Sequence, residues 1–292
     1  MANAGKTPDF ECIRSVYASL SKAHRRVADY IFAAYDKAAF QTANEMGKEV
    51  GVSESTIVRF ALALGFSGYP QMHKFLQDAV RGSLTSIQRM QVGDSRLRPD
   101  RILEETLASD AEMLRRTVTL NTSAAFSAAV EAVQKARNIY IQGTRSSAVL
   151  ANFLALNLGI IRPGVVYVDA YSASQTFEQM FRISPEDMCI AISFPRYSGR
   201  TQTLLRFARD RGASALAITD SPNAPIAALA DTVLLAACDT VSFVDSLVAP
   251  LSLLNALLAA VSRAQENAVL HTLSQLEEIW DTYGVYAPSV NS

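Results

Sequence analysis

Thr42–Phe66, TANEMGKEVGVSESTIVRFALALGF, reads as two short helices joined by a tight turn. Thr42 and Glu45 have the spacing of a capping box, in which the hydroxyl takes an orphan amide and the carboxylate reaches back. Gly51 is placed to end the first helix in a left-handed conformation, which costs glycine no Cβ clash. Ser53 then caps the second helix, with Val52 and Ile57 spaced as a hydrophobic staple. Ile57, Phe60, Ala61 and Leu64 recur at helical spacing, leaving Glu54, Ser55, Thr56 and Arg59 on or near the opposite face. A small residue at 47, a turn glycine at 51 and a β-branched residue at 57 suit a helix-turn-helix. Gly47 stands where Ala is usual, at an expected cost of about 1 kcal/mol of helix propensity.

The second helix of such a unit enters the major groove with its N-terminal residues towards base edges. The DNA-facing set on this reading is Thr42, Lys48, Ser53, Ser55, Thr56 and Arg59. An ordinary αα-corner in a helical domain shows the same pattern without touching DNA. The chain has 292 residues, 49% apolar and 19% charged, with a net charge of −1. That balance suits a soluble two-domain globular protein and announces no overall basicity. A groove-binding dimer needs only a local basic face, which Lys22, Arg25, Arg26, Lys48, Arg59 and Lys74 supply unless they form a solvated helix surface.

Around this pair, residues 1–8 read as a loose end. Phe10–Leu20, Ser21–Ala34 (capped by Ser21) and Tyr69–Val80 read as further helices. Residues 81–99 are polar, contain Gly82, Gly93 and Pro99, and read as a linker. Asp100 is placed to cap a long helix to Leu120, followed by another over 123–136. From Asn138 short apolar runs (NIYIQG, VVYVD, MCIAIS, ASALAIT, TVLLAA) alternate with helical stretches at 146–159, 173–182, 200–211 and 224–230, then a long helix from Ser246. Continuous apolar strands separated by helices predict a parallel sheet covered on both faces. The expected plan is α + α/β: an all-helical helix-turn-helix domain over 1–80, a linker and connecting helix over 81–122, and a doubly wound parallel sheet over 123–285.

In an open parallel sheet, ligands sit outside the carboxyl ends of the strands. After Ile141 the chain reads Gly143-Thr144-Arg145-Ser146-Ser147, and after Ile192 it reads Ser193-Phe194-Pro195-Arg196-Tyr197-Ser198-Gly199-Arg200-Thr201. Both loops offer hydroxyls, amides and a helix N-terminus, the equipment for an anionic group. The first is neither GxGxxG nor a Walker A loop, so a nucleotide has little support. Ser146 and Ser147 as simple helix N-caps are the plainer alternative.

VSESTIVRFALALGFSGY in the head, with IYIQGTRSSA, AISFPRYSGRT and ALAITDSPNAPIAALADTVLLA in the second part, resembles the MurR/RpiR-type transcriptional regulators across residues 21–235. The resemblance implies a helix-turn-helix head joined to a SIS domain, a flavodoxin-like sandwich that binds a sugar phosphate. Carried over by position, Ser146, Ser147, Ser198 and Thr201 hold the phosphate, with Gly143 and Gly199 allowing close approach. Between Ser193 and Ser198 the chain has Phe-Pro-Arg-Tyr in place of the usual single residue. Arg196 and Arg200 are therefore expected near the anion site, where guanidinium pairs with carboxylate as well as phosphate. A surface role for Arg196 is the alternative. Thr144 and Ser193 complete the expected effector set.

An aldose–ketose isomerase needs a general base near the sugar carbons. The only histidines are His24, His73 and His271, and His24 reads as exposed helix surface. Glu277 and Glu278 read as a solvated helix face. The expectation is a sensor without catalytic residues, metal or cofactor; an isomerase with an accessory helical domain is the competing reading. Expected partners are a palindromic double-stranded operator, a sugar phosphate or sugar acid, and further copies of the chain as a homodimer or homotetramer. Cys12, Cys189 and Cys238 form no CxxC pair, and Leu247–Val261 is too short and interrupted to span a bilayer, so a cytoplasmic protein with no membrane contact is expected.

Overall fold

The computed structural model describes residues 10–80, 87, 90, 98–169, 172–239 and 244–286. The loose end over 1–8 and most of the linker over 81–99 lie outside them. The chain divides into two compact units, Met1–Arg96 and Leu97–Ser292.

The first unit contains α1 (Glu11–Val16), a 3-10 turn (Tyr17–Ser19), α2 (Lys22–Ala33), α3 (Tyr35–Ala38), α4 (Ala43–Val50), α5 (Glu54–Ala63) and α6 (Tyr69–Val80). Phe10, Ile31, Met46, Ile57, Phe60, Met72 and Leu76 form its fully buried core. Thr42 and Glu45 close the capping box at 3.2 Å and 2.7 Å, Ser53 caps α5, and Gly51 takes φ 73° between the helices. A Cβ on Gly47 would lie 2.9 Å from the Val52 carbonyl oxygen. The missing methyl thus reflects a close approach of α4 to the turn, a gain to set against the helix-propensity cost. His24 differs from the expected exposed surface residue: it is half-buried, with its ring edge-on to Phe60 at 5.7 Å.

The second unit contains α7 (Ile102–Leu120), α8 (Ser123–Lys135), β1 (Ile139–Gly143), α9 (Ser146–Ile161), β2 (Val165–Val168), α10 (Ala173–Met180), β3 (Met188–Ile192), α11 (Gly199–Asp210), β4 (Ser214–Thr219), β5 (Thr232–Leu235), α12 (Val248–Ala264) and α13 (Glu266–Tyr283). The sheet is wholly parallel in the order β2-β1-β3-β4-β5, the doubly wound arrangement expected. Alternate side chains serve different layers. Ile139, Ile141, Ile190, Leu216 and Ile218 pack against α8, α9 and α12. Tyr140, Cys189, Ala191, Ala215 and Ala217 face α10 and α11.

Three expectations are corrected. Asp100 does not cap α7: Arg101 holds the N-cap position without a side-chain bond. The first turn is held instead by Glu105 accepting from Arg98 and by Glu104 pairing with Arg101. The helix expected over 224–230 is only a 3-10 turn, Ala227–Leu229. The long helix from Ser246 is two, α12 and α13, bent by 102° at their break. Among the described residues no single helix is long and apolar enough to cross a membrane.

Helix α7, expected in the connecting segment, groups with the second unit and covers the free edge of β5. Asn121 Oδ1 accepts from the Leu235 amide at 2.8 Å, and Nδ2 donates to the Leu235 carbonyl at 2.7 Å. Thr117 Oγ1 accepts from the Ala237 amide at 2.9 Å, and Ser246 donates to Asp110 at 2.6 Å. An open strand edge is a template for wrong pairing, and these side chains occupy it.

At the opposite end of the sheet, Asp187 binds the starts of β1 and β3 together. Its carboxylate, with no side-chain exposure, accepts from Arg137, Asn138 and Ser184 at 2.8–3.2 Å. Burial works against the charge, but these hydrogen bonds outweigh it and hold the carboxyl below its usual range. A depressed folded-state value gives stability that is fully present above the unfolded pKa of about 3.9 and is lost as pH falls through the folded value. Asp187→Asn is expected to lower stability by about 1–3 kcal/mol at neutral pH and to flatten the acid limb of the stability curve below about pH 4, measured by urea unfolding at a series of pH values.

Candidate functional site

Parallel strands deliver all their carboxyl ends to one edge, and β1 and β3 are neighbours there. Gly143 pairs with Ile192 at the end of the β1–β3 ladder. The two polar loops that follow therefore meet. Thr144 Oγ1 lies 3.1 Å from Thr201 Oγ1 and accepts from Ser198 Oγ at 3.2 Å. Ser193, itself buried, accepts from the Ser198 amide at 3.3 Å. Buried Gln142 donates to the Thr201 carbonyl at 3.0 Å, tying the first turn of α11 to β1. Ser198 N-caps α11, accepting from the Thr201 amide. Four hydroxyl residues thus gather between the N-termini of α9 and α11, where unpaired amides and the helix dipoles favour a negative charge.

The N-cap alternative for Ser146 and Ser147 does not hold. Arg145 occupies the cap position of α9 at φ 57° and makes no side-chain cap bond. Ser146 is exposed. Ser147 is 5% exposed, and its hydroxyl has no hydrogen-bond partner among the described residues. A buried hydroxyl left unpaired is uncommon, and a functional role is one of its standard explanations. A positive φ at a non-glycine residue costs of order 1–3 kcal/mol and clusters at ligand clamps.

The arginines divide. Arg196 is exposed in the β3–α11 loop. Arg200 turns towards α10, donating to the Ser172 carbonyl and, at 2.5 Å, to Thr176 Oγ1. With Phe177, Thr203 and Leu204 it lines a cavity of about 200 Å³ beside α10. Gly199, at the first position of α11, is exposed with open space around its Cα. Sequence reasoning passed over Tyr197, whose hydroxyl donates to Asp220 at 2.9 Å and ties the longer loop to the end of β4. It also passed over Gln142; a polar residue inside an apolar strand was its one signal.

In the head, Ser53, Ser55 and Arg59 are exposed and Thr56 is half-buried along one side of the N-terminal part of α5. The Ser53 hydroxyl lies 2.9 Å from that of Ser55 and 2.8 Å from that of Thr56, and Arg59 Nε donates to the Ser55 carbonyl at 3.2 Å. Lys48 and Thr42 are exposed on α4, Thr42 with its hydroxyl engaged in the capping box. The six cations expected to form a basic face, Lys22, Arg25, Arg26, Lys48, Arg59 and Lys74, are all exposed. Arg26 donates to the Val50 carbonyl at the helix–helix turn, and Arg25 to the Ala18 carbonyl, so both also brace the head.

Residues 10–83 match the helix-turn-helix domain of the rpiR family, and residues 132–260 match the SIS domain. Head and sheet together define a transcriptional regulator in which a helix-turn-helix is joined to a sugar-isomerase-type domain. The chain thus joins a helix-turn-helix domain of the rpiR family to a SIS domain. An HTH-type transcriptional regulator of Haemophilus influenzae is 27% identical over 227 residues, 76% of this chain and 77% of that protein. The regulator YfhH of Escherichia coli K12 is 29% identical over 222 residues, 73% of this chain and 76% of its own length. The sugar isomerase domain of an RpiR transcription factor from Sphaerobacter thermophilus superposes with a TM-score of 0.59 at 29% identity, covering 61% of this chain and 99% of that one. The Vibrio vulnificus NanR protein, solved in complex with ManNAc-6P, covers 94% of this chain and 98% of its own with a TM-score of 0.56; at 21% identity this is a likeness of fold.

Gly143 is the tightest point of the loop pair. A Cβ there would stand 2.3 Å from the Ser147 carbonyl oxygen, inside the first turn of α9. Gly143→Ala is expected to push that turn away and cost about 1–3 kcal/mol, read as a lowered denaturant midpoint.

Proposed function

We propose that this regulator binds a palindromic operator through α5 and reads the level of a phosphorylated or acidic sugar at the β1–β3 loop pair. The observation that carries the effector assignment is the junction of Thr144 with Ser198 and Thr201, beside the buried hydroxyl of Ser147, which has no hydrogen-bond partner among the described residues. Hydroxyls and helix N-termini converging on one point favour phosphate or carboxylate, and Gly143 lets α9 approach closely. That the NanR protein, of like fold, was solved in complex with ManNAc-6P supports a sugar phosphate. Arg196, exposed in the β3–α11 loop, is proposed to favour an effector whose sugar portion carries a further acidic group. Ser55, Thr56 and Arg59 are proposed to face base edges, with Thr42, Lys48 and Ser53 towards phosphates.

The reading is of a sensor rather than an enzyme. The relatives are named as transcriptional regulators, and His271, Glu277 and Glu278 lie exposed on α13. A sensor needs only an effector affinity that differs between two arrangements of the heads. The working assembly is a homodimer or homotetramer in the cytoplasm, with the SIS domains associating so that two recognition helices address half-sites one DNA turn apart.

A thermal-shift screen across sugar phosphates and sugar acids tests the pocket. A ligand specific to the native fold raises the unfolding temperature, and Thr201→Val, which removes a hydroxyl at the loop junction, is expected to reduce that rise. Turnover of a phosphorylated aldose or ketose by the purified chain would overturn the non-enzymatic reading. In gel shifts on the cognate operator, Arg59→Ala is expected to weaken binding by about 1–3 kcal/mol, roughly tenfold to a hundredfold; unchanged affinity removes Arg59 from the contact set.

A further inference from the structure

Helix α7 presents an apolar stripe that its own unit leaves mostly uncovered, only Leu114 packing in part against Met113, Ala237 and Ala249. Leu103 is 72% exposed, Leu107 58% and Val118 76%, with half-buried Leu114 completing the row. The neighbouring face is pinned in place: Asp110, Thr117 and Asn121 bond to β5 and the segment after it, and Met113 Sδ accepts from the Asp239 amide at 3.0 Å. The stripe is therefore held rigidly outward instead of being free to roll inward.

We infer that α7 is a self-complementary docking surface on which a second copy of this chain lays its own α7, antiparallel, about a twofold axis. This rests on the oligomeric reading above and names the surface it uses. Two features of the helix select that occupant. About the midpoint between Asp110 and Ala111, Leu103 exchanges with Val118 and Leu107 with Leu114. An antiparallel pair thus sets apolar side chain against apolar side chain in an isologous contact, where each patch must meet itself. Charge follows the same symmetry: Glu104, Glu105, Asp110 and Glu112 occupy the first part of the helix, and Arg115 and Arg116 follow. Antiparallel pairing brings Glu104 of one copy towards Arg115 of the other, whereas parallel pairing would set acid against acid. The present partners of these two, Arg101 and Glu112, form exposed ion pairs of little worth, so exchange costs little.

Cysteine substitution in the full chain reads the geometry. Cys189 and Cys238 are buried, and the unsubstituted chain supplies the baseline for mild oxidation. Ala111→Cys, beside the axis, is expected to form an intermolecular disulfide. Leu103→Cys alone is not, because the two copies of that position stand about 22 Å apart along the pair. The double variant Leu103→Cys with Val118→Cys is expected to cross-link between chains. In sedimentation, Leu107→Asp is expected to weaken association about tenfold or more while the unfolding temperature of the separated chain is kept. Cross-linking of Leu103→Cys alone would mean a parallel pair and overturn the inference. A dimeric chain that Leu107→Asp leaves dimeric, or in which Ala111→Cys does not cross-link, overturns it too: another surface makes the dimer and the chain's own head or another protein covers the stripe. That result leaves the dimer reading standing. A monomeric unsubstituted chain rejects both.

Discussion

β1 and β3 lie side by side in the sheet although β2 falls between them in the chain, and the second domain's chemistry follows from that adjacency. In a parallel sheet each strand ends at the same edge, so neighbouring strands hand their loops to each other. At the point where the strand order reverses, the helices leave on opposite faces and the two loops meet at the strand ends. Thr144 reaches Ser198 and Thr201 because of this, and α9 and α11 point their N-termini into the same space. Nothing in either loop alone makes a site.

The two layers around the sheet have different characters. The face towards α8, α9 and α12 is filled by Ile and Leu, while that towards α10 and α11 carries Ala and Cys at β3 and β4. Small side chains let α11 sit close, and Gln142 crosses that face to take the Thr201 carbonyl. Cys189 beneath it is wholly enclosed, and burial pushes its thiol up to about 12, which leaves it inert as a thiolate. The sheet is thereby locked at three places: the loop junction at its carboxyl edge, Asp187 at its amino edge and α7 along β5.

The head solves a smaller version of the same problem. Two helices can cross closely only where one lacks a side chain, and Gly47 provides that opening against the Val52 carbonyl. Arg26 then satisfies the Val50 carbonyl at the end of α4, so the turn is held from below by a cation and from within by Gly51. The consequence for function is that α5 is fixed at its base while its polar N-terminal side stays open.

Local chemistry was legible from residue order wherever the determining partners lie within a few positions. The capping box at Thr42, the caps at Ser21 and Ser53, the turn at Gly51 and the five strands all depend on near neighbours or on short continuous apolar runs. Where a distant partner decides, residue order failed. Asp100 looks like a cap, but Arg98 and Glu105 set the start of α7; residues 224–230 carry helical apolar spacing, yet only Ala227–Leu229 winds, as a 3-10 turn. The hydroxyl residues of the two loops could be named from the sequence, but their junction could not, because Thr144 and Thr201 are 57 positions apart and only strand order joins them. Likewise no pattern near Asn121 announces that its amide closes a strand edge 114 residues later. Order along the chain specifies which groups exist and how each segment coils; which of them touch is a property of the packed sheet, since hydrogen bonds and burial act through space.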